Sequence, residues 1–138
     1  MLRKIDYRFF RKAKTIASVS DFKKFHIGCV AVYQGKIIGL ACNTQKTHPM
    51  QKEYNAYRNH EDNNSFMPRL HAEIACLNTI RKMDINFAKV KLYICRERTS
   101  GEVGLSRPCV ACMQAIIDLG IKYIYYTTDA GYACEKIS

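Results

Sequence analysis

The chain has 138 residues, a formal net charge of +10 and 48% hydrophobic residues. This length predicts one domain, residues 1–138, with a core large enough to need no disulfides. No stretch is long and apolar enough to span a membrane and no secretory signal precedes the first helix, so we expect a cytoplasmic protein without a membrane partner.

The predicted elements alternate between helices and strands. Apolar residues at helical spacing predict helices, and short apolar runs predict strands. In chain order these are helix 4–20, strands 27–33 and 36–43 joined by a tight turn at Gln34 and Gly35, helix 70–83, strand 90–96, helix 109–119 ending at Gly120, strand 121–128, and a short strand 132–137 after a turn. The layout predicts helices packed on a central mixed sheet, with an antiparallel hairpin at the C-terminal end.

The first predicted helix is strongly basic. Its cations are Arg3, Lys4, Arg8, Arg11, Lys12 and Lys14, and Lys23 and Lys24 follow. A basic small domain usually binds a polyanion or a phosphorylated ligand, because neutralising phosphates releases counterions. A solvated helix face would have the same composition, so both interpretations stay open at this point.

Residues 44–69 interrupt the alternation of helices and strands. A connection this long within a compact domain is unusual, so we expect it to be functional, partly helical or mobile. Its cations and aromatic residues are interspersed: Lys46, His48, Lys52, Arg58 and Arg69 with Tyr54, Tyr57 and Phe66. Such a mixture can hold phosphates and stack bases, which makes Tyr54 and Tyr57 candidate substrate-binding residues. The alternative is a solvated loop whose aromatic residues anchor it.

Two short motifs predict a zinc site. His71-Ala72-Glu73 is followed by Pro108-Cys109-Val110-Ala111-Cys112. One histidine and two cysteines supply three zinc ligands and leave the fourth tetrahedral position for water, as in catalytic rather than structural sites. Cys109 and Cys112 are one helical turn apart and Pro108 suits a helix start, so the metal is predicted where two helices begin.

Glu73 is the candidate catalytic residue. A carboxylate that lies beside the metal without binding it can take a proton from water and return it to the substrate. The pair H-A-E and P-C-x-x-C resembles the combination with which zinc-dependent nucleobase deaminases activate water, and this resemblance implies hydrolytic deamination, in which hydroxide adds to C4 of cytosine and ammonia leaves. A noncatalytic zinc-containing nucleic-acid-binding module would leave both Glu73 and the open metal position unused.

These motifs resemble the cytidine and deoxycytidylate deaminase superfamily, which includes tRNA adenosine deaminases and polynucleotide cytosine deaminases. The resemblance covers most of the chain and is carried by residues 28–32, residues 35–39, Asn43, both metal motifs and the strand after them. It implies a three-layer α/β/α sandwich of the cytidine deaminase type, with a central mixed sheet of about five strands, and a possible homo-oligomer. It also implies that Asn43 holds the substrate sugar. Ala72 and Arg107, beside the metal ligands in sequence, are further candidate substrate contacts.

The expected substrate is cytosine in a (deoxy)cytidine nucleotide such as dCMP, or in single-stranded nucleic acid. His71 stands where nucleoside cytidine deaminases commonly have cysteine, which places the chain nearer the nucleotide and polynucleotide branches. The predicted C-terminal hairpin is more similar to the free-nucleoside enzymes. An adenosine-to-inosine deaminase acting on tRNA or DNA is the alternative, and it is less favoured because its C-terminal helix is not found.

Overall fold

The computed structural model describes residues 2–22, 25–46, 48–57 and 70–137. The helices are α1 (Lys4–Ala17), α2 (Pro49–Tyr54), α3 (Ala72–Ile80) and α4 (Val110–Leu119). The strands are β1 (His26–Tyr33), β2 (Lys36–Cys42), β3 (Lys91–Glu97), β4 (Val103–Gly104), β5 (Tyr123–Thr128) and β6 (Gly131–Lys136). Each predicted helix is shorter than expected, because terminal residues serve as caps or turns rather than helix interior.

The six strands form one mixed sheet in the order β2-β1-β3-β5-β6, with the two-residue β4 pairing with β3. Neighbouring strands are antiparallel except β3 and β5, which are parallel and joined through α4. The predicted antiparallel C-terminal hairpin is confirmed as β5 and β6. The sequence pattern did not indicate β4, since two residues carry no detectable alternation.

The sheet is covered on both faces, which confirms the predicted three-layer sandwich. On one face α1 packs through Phe9, Phe10 and Ala13. On the other face α3 and α4 bury the larger core, which includes Ile74, Leu77 and Ile116. The close approach of α1 requires glycine in β1: a Cβ at Gly28 would lie 2.0 Å from the carbonyl oxygen of Ala13.

The turn between β1 and β2 is the tight hairpin that the sequence predicted. Gln34 and Gly35 have φ angles of 53° and 77°, and Tyr33 pairs with Lys36 across the turn. Positive φ at both central residues is the geometry whose twist matches that of the flanking strands. The turn lies at one end of the sheet, whereas the start of β1 and the end of β3 lie at the other.

The interrupting segment is partly helical, as expected, over its described residues. Residues 49–57 form α2 and a short 3-10 turn, Asn55–Tyr57. The predicted contributions of Arg58, Phe66, Arg69, Lys23 and Lys24 lie outside the described residues. Within the described ranges, no helix combines the length and apolar character needed to cross a membrane.

Candidate metal centre and active site

The two metal motifs meet where α3 and α4 begin. His71 is the N-cap of α3 and Cys109 is the N-cap of α4, both with extended backbone, while Cys112 lies in the first turn of α4. Cys109 therefore precedes the helix in which the sequence placed it. The positive ends of two helix dipoles face the site, and such an environment stabilises thiolates.

The three side chains have the spacing of ligands to one metal ion. His71 Nδ1 lies 3.2 Å from Cys112 Sγ and 3.6 Å from Cys109 Sγ, and the three ligand atoms are all within 4.8 Å of one another. Tetrahedral zinc with ordinary bond lengths separates a nitrogen and a sulfur ligand by about 3.6 Å. The donor set and spacing fit zinc, and among the described residues no other such cluster of histidine, cysteine or carboxylate groups occurs.

The pKa values of the two cysteine thiols shift in opposite directions. A hydrogen bond from Cys112, helped by His71, lowers the pKa of the Cys109 thiol to about 3. Burial raises the pKa of the Cys112 thiol well above its ordinary value. Zinc binds thiolates, so metal binding at this site is accompanied by release of the Cys112 proton.

Glu73 lies in the first turn of α3, next to the ligand cluster, and is only 4% exposed. Burial raises the pKa of its carboxyl group, and the neighbouring His71 partly opposes this rise. Its Oε1 is buried without a hydrogen-bond partner among the described residues. Burying a carboxylate oxygen without a hydrogen-bond partner reduces folding stability, unless a bound ligand or substrate supplies the missing hydrogen bond.

Gln51, in α2, supports the metal motif, and sequence reasoning did not single it out. Its side chain is fully buried, and its Oε1 accepts a hydrogen bond from the backbone N–H of His71 at 2.9 Å. Its Nε2 donates to Asn55 Oδ1 at 2.8 Å. The sequence predicts only that the segment as a whole is functional, because glutamine in a polar segment carries no specific signal.

The ligand cluster opens into a cavity of about 230 Å³. Among the described residues its lining combines aromatic, polar and cationic side chains: Phe22, Phe25, Ile27, Asn43, Thr44, Leu70, His71, Glu73, Arg96, Leu105, Ser106, Arg107 and Cys109. Such a lining, apolar with a few convergent polar groups, is typical of a small-molecule site. The structure thus brings Asn43 and Arg107 to Glu73 and to two of the ligands.

Asn43 lines this cavity, and its side chain also hydrogen-bonds to the backbone of two other lining residues. Its Oδ1 accepts a hydrogen bond from the N–H of Ile27 at 2.9 Å, and its Nδ2 donates to the carbonyl of Phe25 at 3.1 Å. The side-chain amide of Asn43 still has one N–H hydrogen and one oxygen lone pair unused, so it can also hydrogen-bond to a substrate sugar. Ala72 is fully buried and is absent from the described lining.

The two arginines of the cavity differ in their partners. Arg107 makes a bidentate ion pair with Glu135 of β6, at 3.1 and 3.2 Å. The Arg96 guanidinium lies 5.0 Å from the centre of the Phe25 ring, and its Nε is buried without a hydrogen-bond partner among the described residues. Among the described residues no carboxylate pairs with Arg96, so its charge can still attract an anion in the cavity.

Ser106 and Thr127 form a buried pair beneath the loop that carries Arg107. Thr127 Oγ1 donates to Gly104 O at 2.6 Å, and Ser106 Oγ donates to Ile94 O at 2.8 Å. The pair ties the loop before the cysteine motif to β3 and β5. Sequence reasoning missed both residues, since their partners are distant in the chain.

Tyr54 and Tyr57 lie outside the described cavity lining. Tyr54 donates a hydrogen bond to Asp118 Oδ2 of α4 at 2.8 Å and stacks on Tyr57 with a centroid distance of 6.0 Å. Tyr54 thus anchors α2 to α4, as the alternative interpretation of this segment expects. Stacking on a substrate base stays a prediction for the exposed ring of Tyr57.

Comparisons with known proteins agree with this geometry. The model of the cytidine and deoxycytidylate deaminase zinc-binding region matches residues 3–128. None of the curated proteins is significantly similar to the chain in sequence.

Solved structures similar to the chain share its fold. The dCMP deaminase of cyanophage S-TIM5 in apo form is 20% identical, with a TM-score of 0.65 over 93% of this chain and 86% of that chain. Its complex with dCMP and dUMP gives 20% identity and a TM-score of 0.63, over 93% and 84% of the two chains. Cytidine deaminase from Burkholderia pseudomallei is 17% identical, with a TM-score of 0.64 over 95% and 91%. Since the family match covers most of the sequence, the chain belongs to the cytidine and deoxycytidylate deaminase zinc-binding family.

Proposed function

We propose that this protein hydrolyses cytosine to uracil in a free (deoxy)cytidine nucleotide such as dCMP. The observation that carries this proposal is the buried, unpartnered Oε1 of Glu73 beside the three candidate zinc ligands, in a cavity that also contains arginines. A structural zinc site would have a fourth protein ligand in place of this arrangement.

Glu73 is the proton carrier in the proposed reaction. Zinc, which His71, Cys109 and Cys112 would hold, would supply a Lewis acid that lowers the pKa of water to about 7. Glu73 accepts the proton of the attacking water at Oε1 and delivers it to ring nitrogen N3 of cytosine. It then takes the remaining proton of the oxygen added at C4 and transfers it to the departing amine, so cytosine and water become uracil and ammonia. Its burial excludes bulk water and keeps the proton on this path.

The cationic lining supports a phosphorylated substrate. Arg96 is the lining arginine without a described carboxylate partner, and guanidinium groups bind phosphate through charge-assisted hydrogen bonds. Asn43, at the same cavity, is the proposed contact to the sugar. Cytosine in single-stranded nucleic acid is the second candidate substrate, favoured by the net charge of +10.

The test is a substrate panel with zinc-loaded protein. Cytidine, deoxycytidine, dCMP, a cytosine-containing single-stranded oligonucleotide and the matching adenine substrates are incubated separately, and ammonia release is measured. We expect turnover of dCMP to exceed that of the nucleosides. Failure to deaminate any cytosine substrate would contradict the proposal, and preference for the oligonucleotide would select the second candidate.

Two variants separate metal binding from catalysis. Glu73→Gln should keep its zinc and lose activity by about 10²- to 10⁴-fold, the usual contribution of general acid and base catalysis. Cys112→Ala should lose both zinc and activity, since it removes a thiolate ligand. Parent activity in Glu73→Gln, or full zinc content in Cys112→Ala, would overturn these assignments.

A further inference from the structure

A basic groove lies between α1 and the β1–β2 turn. It has a volume of about 550 Å³ and is lined by four exposed cations, Arg8, Arg11, Lys12 and Lys36, together with Phe9, Thr15, Gly35 and Ile37. A second concave surface shares Phe9 and Gly35 with it and adds three more cations, Arg3, Lys89 and Lys91. No acidic residue appears in the described lining of either surface.

Cations of α1 repel one another, and two of them, Arg8 and Lys12, line this basic groove. Lys4, Arg8 and Lys12 follow at successive spacings of four residues on the exposed side of the helix. Like charges at this spacing destabilise a helix by about 0.2–0.5 kcal/mol per pair. The acidic residue of α1, Asp6, is buried, and the ion pairs among described residues involve Arg3, Arg98 and Arg107. The groove cations therefore lack a described counter-charge within the chain.

The basic groove is separate from the active-site cavity. The cavity lining includes Ile27 at the start of β1 and Arg96 near the end of β3. The groove and its neighbour include Lys36 after the opposite end of β1 and Lys91 at the start of β3. The eight residues of β1 span about 25 Å, which separates the two sites by roughly the length of the sheet.

We propose that the basic groove binds the phosphate backbone of a nucleic-acid strand. Phosphates neutralise clustered lysines and arginines with release of counterions, and a concave channel can follow a strand. A membrane surface is less suitable, because surface-bound helices insert their apolar face, whereas Phe9, Phe10 and Ala13 of α1 are buried in the core. A second copy of the same groove would present the same charge.

The binding test uses a labelled oligothymidylate of 20 nucleotides, which contains no cytosine for the active site. Affinity is measured by fluorescence anisotropy over a range of salt concentrations. Four phosphate contacts predict a slope near 3 on the log–log salt plot, at about 0.7 per phosphate. Arg8→Glu with Lys12→Glu should lower that slope by about 1.4 and weaken binding at low salt by at least about tenfold.

The matched control is Lys82→Glu with Lys122→Glu, which changes the same charge at exposed positions outside the groove. Zinc content and thermal unfolding show whether each variant is folded, independently of any deaminase activity. We expect the control to bind almost as well as the parent. Equal weakening by both pairs, absence of salt-dependent binding in the parent, or binding to phosphatidylserine vesicles without binding to the oligonucleotide would overturn the proposal.

Discussion

The two arginines of the cavity differ in whether a carboxylate of the protein already neutralises their charge. Arg107 is held by both carboxylate oxygens of Glu135, so its guanidinium positions the loop before the cysteine motif. Arg96 stacks on Phe25 and has a buried Nε without a described partner. Arg107 stays a predicted substrate contact in the cavity, and Arg96, which has no described carboxylate partner, is the proposed phosphate contact.

We predict that Arg96→Gln weakens binding of the phosphorylated substrate and leaves binding of the unphosphorylated one nearly unchanged. Loss of a charge-assisted hydrogen bond of about 1.5–3 kcal/mol should raise KM for dCMP by about 10- to 100-fold. KM for deoxycytidine, which has no phosphate, should change little. Steady-state kinetics with both substrates provide the measurement.

Arg98→Gln is the control, because Arg98 pairs with Asp129 and is not in the described lining. If Arg96→Gln impaired dCMP and deoxycytidine equally, Arg96 would be a structural residue rather than a phosphate contact.

At the scale of elements, α2 supports the start of α3. The Gln51 side chain crosses from α2 to the backbone N–H of His71, which is the N-cap of α3 and a candidate ligand. The first N–H groups of a helix lack partners within it, so an outside acceptor fixes the direction from which the chain enters. The long segment before α3 therefore orients a metal ligand through its described part.

Gln51→Leu should weaken both folding and metal binding. It leaves the His71 N–H and Asn55 Oδ1 without their buried partner, at a cost of about 1–3 kcal/mol in unfolding free energy. Loss of such an outer support typically lowers metal affinity by about 10- to 100-fold. Urea denaturation and competition with a zinc chelator measure the two effects.

Lys52→Leu, at the adjacent exposed position of the same helix, should change stability by no more than about 0.5 kcal/mol. Zinc affinity of Gln51→Leu equal to that of the parent would show that α2 does not orient the ligand.

At the scale of the whole molecule, one buried polar contact attaches α1 to the sheet. Tyr93 of β3 donates a hydrogen bond to Asp6 Oδ1 at 2.5 Å, and the backbone N–H of Arg3 donates to Asp6 Oδ2 at 2.7 Å. Burial and this bond raise the pKa of the Tyr93 hydroxyl. The same contact positions the basic helix over β1 and β3.

The raised pKa of Tyr93 predicts a loss of stability in alkaline solution. Tyrosine in the unfolded chain ionises near pH 10, below the pKa of Tyr93 in the folded protein. The neutral hydroxyl therefore stabilises the folded state fully below about pH 10, and this contribution falls as pH rises above that value. Urea denaturation between pH 8 and 11.5 measures it.

Tyr93→Phe should cost about 1–3 kcal/mol at neutral pH, because Asp6 loses a buried donor, and should reduce the alkaline loss. Tyr57→Phe changes an exposed tyrosine, and its unfolding free energy should depend on pH as that of the parent does. An alkaline loss in Tyr93→Phe as steep as in the parent would contradict this account.

The sequence alone determined the parts of this protein that depend on local spacing. The apolar periodicities, the turn at Gln34 and Gly35 and the stop at Gly120 predicted the order of elements, because these signals depend on residues close together in the chain. The metal motifs predicted His71, Cys109 and Cys112 as ligands, since soft ligands at this spacing have few other uses.

Only the tertiary structure decided which distant side chains meet. Gln51 with His71, Ser106 with Thr127, Arg107 with Glu135, and the separation of the basic groove from the cavity all follow from sheet order and layer packing. Periodicity carries no information on such pairs. Their burial and hydrogen bonding arise when elements separated in sequence become neighbours, and each such contact occupies a polar group that would otherwise need another partner.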